Sequence, residues 1–268
     1  MAASKLTSKP KYKNLKVLDG GVPVMRYMSL AQLVSVLVKS SLPLTRVDRF
    51  RDKFEGSVPK RQVDDQIPIF SDESAQFFQD EYTPPTETTQ PKDMNAEVAR
   101  WRRALARSAH ASCWRWGPES EGMWRLYCGE REGVALKTTF SRLEASVAGA
   151  NLLVGRVQYW NYAAGAGFTD DLDALMFKRE GFDFEQEVRL LHVDEPHYRK
   201  LQQDETSAAD LPERIALPWS VHDAVEKVLV SPYADDMYLA AVEATVSALS
   251  PKIELSVARS ELWGEPWR

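Results

Sequence analysis

A mixed, mostly antiparallel (split) α+β fold is what this 268-residue sequence predicts, from three observations. Short segments such as Leu152–Tyr162 and Phe184–His192 alternate in the two-residue period of a half-buried strand. Longer stretches, among them Leu30–Lys39 and Asp235–Leu249, place apolar residues at helical spacing. The two kinds of segment do not follow one another in a βαβ rhythm, which disfavours a doubly wound parallel sheet. A hydrophobic share of 44% with 27% charged residues excludes a disordered or fibrous chain. The length is at the upper limit for one hydrophobic core. One α+β domain is therefore expected over 22–262, with a basic flexible arm at 1–21, an insertion at 58–92 and a C-terminal tail at 263–268.

Each element follows from local pattern. Residues 1–13 carry Lys5, Lys9, Lys11 and Lys13 among Ser, Thr and Pro and read as a poorly ordered arm. Val24–Met28 reads as the first strand. Ser29 is the expected cap of a helix over Leu30–Lys39, because its hydroxyl can accept an unpaired N–H of the first turn. Leu42–Leu44 is expected as a short strand, placed at a sheet edge by Pro43. Acidic residues and prolines accumulate over 58–92, where one helix is expected around Ser74–Glu81. A basic helix follows over Asn95–Ala109, with Arg100, Arg102, Arg103 and Arg107. Ala111–Trp116 reads as a strand, Glu121–Tyr127 as a helix, Gly133–Thr139 as a buried strand and Phe140–Ala148 as a helix. Leu152–Tyr162 is expected as one strand, Asp170–Arg179 as a helix, Phe184–His192 as a strand and Val225–Val230 as a partial strand. The long helix Asp235–Leu249 and a last strand at Ile253–Val257 complete the pattern.

Several function classes are excluded at this level. No window approaches the roughly 20 apolar residues of a membrane helix, and the polar, basic first residues do not form an ordinary secretory signal. Cys113 and Cys128 are too few for a disulfide framework or a cysteine-rich zinc site. A reducing cytoplasmic location without membrane partners is expected. The formal net charge of −5 argues against non-specific nucleic-acid coating. The four histidines lack metal-ligand spacing, and no P-loop, G-x-G-x-x-G or G-x-S-x-G motif occurs.

Three segments hold residues capable of chemistry. In Phe184–Glu185–Gln186–Glu187–Val188–Arg189–Leu190, strand alternation puts Glu185, Glu187 and Arg189 on one face, where they can hold a polar ligand; a solvent-facing strand with a cross-strand ion pair is the ordinary alternative. In Met123–Trp124–Arg125–Leu126–Tyr127 and the following strand, Trp124 and Tyr127 with Thr138 and Thr139 offer aromatic faces and hydroxyls suited to a flat heterocycle with a sugar, or simply core packing. Arg26–Tyr27 on the first strand offers a guanidinium fork suited to diphosphate, or a surface salt bridge. Asp52, Glu55, Glu185 and Glu187 could also form an acidic Mg²⁺ site, although Arg189 stands where a nuclease would place a proton-accepting lysine.

The ordered set Arg26–Tyr27–Met28–Ser29, Phe50–Arg51–Asp52–Lys53–Phe54–Glu55, Cys113–Trp114, Met123–Tyr127, Gly133–Leu136, Phe184–Arg189 and Val230–Ser231–Pro232–Tyr233 resembles the bacterial domain of unknown function 2971 family. More distantly, the order of strand Arg, hydroxyl-bearing strand and late Glu-x-Glu is similar to the arginine-type (R-S-E) ADP-ribosyltransferases. That resemblance implies NAD as substrate with no metal. It also implies Arg26 on the diphosphate with Tyr27 in the same cofactor site, Trp124 or Tyr127 stacked on a base or the nicotinamide ring, and Thr138 and Thr139 on the ribose side. Glu187 would be the catalytic carboxylate and Glu185 the group that orients or deprotonates the acceptor. The acceptor, protein or nucleic acid, stays open, and a toxin or phage-defence role is implied only by the likeness. A non-catalytic binding module and a metal-dependent nuclease are the alternatives.

Overall fold

The computed structural model describes residues 17–59, 94–129, 132–163, 168, 173–250 and 255–263. The helix expected at 74–81, most of the insertion, the first 16 residues of the arm and all but the first residue of the tail lie outside them. The chain forms an α+β fold around a mixed, mostly antiparallel sheet.

Strand β1 (Pro23–Met28) runs through Ser29 into helix α1 (Leu30–Lys39). Ser29 Oγ accepts from the Gln32 N–H and the Gln32 side chain accepts from the Ser29 N–H, so two otherwise unpaired donors of the first turn are satisfied reciprocally. Leu33, Val36 and Leu37 form its buried face. Ser40 then adopts a left-handed conformation (φ 44°) and returns the chain into β2 (Ser41–Arg46). After α2 (Met94–Ser108) come β3 (Ala109–Trp116), α3 (Glu121–Cys128), β4 (Val134–Thr139) and α4 (Phe140–Ser146). Next are β5 (Leu153–Arg156), β6 (Gln158–Trp160), α5 (Asp173–Met176), β7 (Phe177–Arg179) and β8 (Glu187–Val193). The chain continues through α6 (Glu195–Gln203), β9 (Arg214–Pro218), α7 (Val221–Ala224), β10 (Lys227–Val230), α8 (Asp236–Leu249) and β11 (Ser256–Arg259).

The main path of the sheet is β11-β10-β4-β1-β3-β2-β9, with β8 also paired to β3 and β5 to β8; β6 and β7 form a separate parallel pair. Strand β3 is shared by two branches. β1 pairs with its end, Val24 with Trp116 and Met25 with Arg115, while β2 pairs with its start, Thr45 with Ala111 and Arg46 with His110. Ser112, Cys113 and Trp114 lie at the fork. Along the whole other edge of β3 runs β8, from Ala109–Val193 to Arg115–Glu187.

The fork corrects the expectation that Pro43 marks an edge strand, since β2 lies between β3 and β9. The N–H and C=O of one strand residue point to the same side. Pro43 O accepts from Arg26, which reaches across from β1, so the nitrogen that lacks a donor also faces the fork. No ladder bond to β9 is lost.

Other boundaries also differ. Leu152–Tyr162 is two strands, broken where Val157 N–H bonds Glu187 O at 2.8 Å. The helix expected over 170–179 is a single turn, α5, followed by β7. Glu180–Glu185 form a 3₁₀ helix closed by a left-handed Gln186 (φ 41°), so β8 begins at Glu187 rather than Phe184. Residues 195–224, for which no element is expected above, hold α6, β9 and α7.

Strand alternation divides the sheet into two faces. Val24, Met28, Trp114, Leu136, Val188 and Leu190 belong to one core that also includes Leu33 and Val242 from α1 and α8. The opposite face holds two smaller apolar groups. One gathers Met25, Tyr27, Trp124 and Leu229; the other gathers Ala111, Leu175, Phe177 and Leu191 with Leu105 from α2. Between them on that face, β3 and β8 present Cys113, Arg115, Glu187 and Arg189.

Candidate functional site: a buried carboxylate–cation cluster

Glu187 and Arg189 share a face of β8, as the alternation predicts, and Val188 and Leu190 go into the main core. Glu185 is not on the strand. The left-handed turn at Gln186 nevertheless returns its carboxylate to the same place, where Oε2 lies 2.5 Å from Lys178 Nζ. Lys178, on β7, is also 3.3 Å from Glu55 and 3.6 Å from Glu187. Arg189 is wholly buried and grips Glu187 through two parallel bonds of 3.0 Å, from Nε and Nη2. It also bonds Glu55 at 2.9 Å and donates to Leu175 O at 2.6 Å. Two cations thus face three carboxylates, leaving a surplus of one negative charge when all are ionised.

That surplus separates the two glutamates of the motif. Burial opposes ionisation of Glu187, but Arg189 and then Lys178 outweigh it and bring its carboxyl down to about 2. Glu185 is raised, chiefly by burial and further by Glu187 and Glu55, with Lys178 only partly compensating. One carboxylate is a fixed anion and its neighbour is the readier proton acceptor. Cys113, paired across the strands with Arg189, has its thiol pushed well up by burial and by Glu187. Tyr159 accepts a 2.8 Å bond from the Glu187 N–H. Tyr127 is 48% exposed, and its phenol is raised by desolvation and by Glu185, Cys113 and Glu187. It is a solvent-facing aromatic near the cluster.

The other expected site residues lie elsewhere. Arg26 has the parity of Val24 and Met28 and so lies on the opposite face from Glu187. There it spans the fork, donating to Ser112 Oγ at 2.7 Å and to Pro43 O at 3.3 Å. Trp124 is 0% exposed, with Nε1 donating to Glu119 and its ring meeting Tyr27 edge-on at 4.8 Å. Tyr27 accepts from Ser120 N–H, so these two aromatics are core. Thr138 is buried on the Val24 side, and Thr139 precedes α4 with Oγ1 3.4 Å from Ser141 Oγ. β4 is three strands from β8, roughly 14 Å at the usual strand spacing.

The acidic set considered for Mg²⁺ is committed to cations within the chain. Lys178 is the shared partner of Glu55, Glu185 and Glu187, and Asp52 pairs with Arg179 at 2.8 Å. Among the described residues, no group of three or more His, Cys, Asp or Glu is arranged to hold a metal ion. The basic run on α2 is also engaged. Arg103 pairs with Glu205, Arg107 with Asp210, and Arg102 donates to Ser57. Among the described residues, no helix is long and apolar enough to cross a membrane.

Lys178 was missed because its segment read as helix.

No family model matches the chain, and no curated protein matches it, so the likeness to domain of unknown function 2971 gains no support. One solved structure is similar. It is DarT from Thermus sp. 2.9 in complex with ADP-ribosylated ssDNA, 11% identical, with 94% of this chain and 100% of that chain covered at a TM-score of 0.40. At that distance no residue role passes from one to the other.

Proposed function

We propose that the chain is an ADP-ribosyltransferase-like enzyme that cleaves the nicotinamide–ribose bond of NAD at the Glu185/Glu187 cluster. The observation that carries this reading is a desolvated cluster in which Glu187 is held ionised while Glu185 is the readier proton acceptor, with the half-exposed Tyr127 near both. The substrate bears a pyridinium, and its cleavage develops positive charge on the ribose, as in glycoside hydrolysis. A carboxylate held ionised in a low-dielectric setting stabilises such charge without reorganising. In this scheme the acceptor nucleophile bonds to the anomeric carbon, the C–N bond breaks, and its electron pair leaves with neutral nicotinamide. Glu185 takes the acceptor's proton. Glu187 supplies the fixed charge, and Tyr127 stacks on a ring of the substrate.

The test is nicotinamide release from NAD. Wild type is expected to release it and Glu185→Gln to lose about 100-fold or more, the scale of general-base catalysis. Release should rise with pH through a value above the ordinary carboxylate range, because Glu185 must be deprotonated to act. Release unchanged in Glu185→Gln overturns the scheme. A toxin or phage-defence role would make wild-type expression harmful to a host and Glu185→Gln harmless. One observation favours a second reading, a non-catalytic binding module: both Glu187 oxygens are already engaged by Arg189. NAD binding without turnover would select it.

A further inference from the structure

Glu55 is the carboxylate of the cluster that charge balance does not require. Lys178 and Arg189 are already matched by Glu185 and Glu187, and Arg189 holds both oxygens of Glu187. Glu55 shares the one Nη2 of Arg189: Oε1 takes the hydrogen bond, and Oε2 is buried without one among the described residues. A tight turn nevertheless carries this side chain inside, where it is 3% exposed. Asp52 organises the turn, accepting from Phe54 N–H at its carboxylate (3.0 Å) and from Glu55 N–H at its carbonyl (3.1 Å). Arg179 pairs with Asp52 at 2.8 Å and covers the ring of Phe54, 4.1 Å from its centroid. Phe54 therefore points outward and Glu55 inward. Gly56 then takes a positive φ of 70°, which favours glycine, and the chain leaves the cluster.

Lys178 Nζ lies 3.3 Å from Glu55 and 2.5 Å from Glu185, so the two carboxylates approach within about 6 Å, where like charges oppose each other's ionisation. A third anion in a dry cluster makes full ionisation costly, and the carboxylate with the weakest hold on the cations relieves it by taking a proton. Glu187 is locked by Arg189, and Glu55 draws on Arg189 and Lys178. Among the described residues, Lys178 is the one cation within ion-pair distance of Glu185. Tyr127 of α3 and Tyr159 of β6 also face Glu185, while Tyr162 and Cys113 face Glu55; burial keeps all four neutral. We propose that Glu55 is a positioning residue of the reaction: by drawing on both cations it leaves Glu185 with Lys178 alone and makes Glu185 the member of the cluster that accepts the proton. This rests on the NAD reading above and deepens it. The upward shift of Glu185, to which Glu55 contributes, agrees with that role.

The experiment is a carbon-13 NMR titration of the Glu185 carboxyl in the full chain, labelled at glutamate Cδ and assigned by the loss of its signal in Glu185→Gln. In wild type it is expected to titrate above the ordinary carboxylate range. Glu55→Gln should move the midpoint to lower pH, and Glu55→Asp, which keeps the charge, should restore it. Nicotinamide release gives a second readout that a merely structural residue would not move. On the acid limb of the pH profile Glu55→Gln should outpace wild type by about threefold or more, and on the plateau it should fall behind, because Glu185 is then the weaker base. A Glu185 midpoint unmoved by Glu55→Gln, or moved equally by Glu55→Asp, overturns the proposal. Failure of Glu55→Gln to fold overturns it too, since Glu55 would then be an obligatory counter-ion of Arg189. The two readings fail differently. A moved midpoint without nicotinamide release sinks the enzyme and keeps the role of Glu55. Release with the same pH profile in Glu55→Gln does the reverse.

Discussion

Glutamine at position 187 keeps the size of the side chain and removes its charge, which isolates what the ion pair contributes. In the wild type the carboxyl is held at about 2 against an ordinary 4.5, even though burial opposes this. A gap of that size corresponds to roughly 3 kcal/mol of stability at neutral pH. Because the folded-state value is depressed, the contribution is whole above the unfolded value near 4.5. It is lost as pH falls towards 2, and about 2 kcal/mol should remain near pH 3.5. Glu187→Gln also leaves the wholly buried Arg189 with Glu55 as its one carboxylate. Guanidinium chloride unfolding at pH 7 should therefore show the variant about 3 kcal/mol less stable, within the range for breaking a buried pair, and the difference should shrink at pH 3.5. A penalty below about 1 kcal/mol at pH 7, or one independent of pH, would refute the assignment of Glu187 as an ionised, internally paired group. The same arithmetic makes Glu185, with its opposite shift, the cleaner position at which to test catalysis.

Other substitutions test the rest of the description. Lys178→Met leaves three carboxylates to Arg189 and should destabilise the chain by about 3–5 kcal/mol at pH 7, with much of the loss recovered in acid as the carboxylates take up protons; a denaturant series across pH reads both. Arg26→Met removes the bonds to Ser112 Oγ and Pro43 O at the fork and should cost about 1–3 kcal/mol; a thermal midpoint identical to wild type would show that the span is idle. Ser29→Ala removes the cap of α1 and should cost about 1 kcal/mol, whereas Ser29→Asp should restore most of it, both read by chemical denaturation.

Where a signal is local, the sequence reports it well. Helix α1 and its Ser29 cap depend on residues within four positions of one another, and the sequence places both correctly. The alternation that puts Glu187 with Arg189 is equally local. The convergence of Glu55, Lys178 and Tyr127 on that pair depends on packing between distant segments, about which a lone Lys or Tyr says nothing. Arg26 shows the limit most clearly. An arginine on a strand has two possible faces, and only the register Val24–Trp116 decides that it faces away from Glu187. Gln186 is a similar case, because nothing in Glu-Gln-Glu announces a left-handed residue, and that one dihedral ends the 3₁₀ turn and starts β8. Pro43 misled for a related reason. The lost donor faces an internal gap rather than solvent.

Because β3 is hydrogen-bonded to β1, β2 and β8 at once, it is a common spine for three ladders. The two branches that diverge from it have no continuous ladder of their own across the gap. Neither wing can be peeled away fully without uncovering the spine, so they should open as one cooperative unit. Slow amide exchange would then give β4 and β9, far apart in sequence, a single opening free energy.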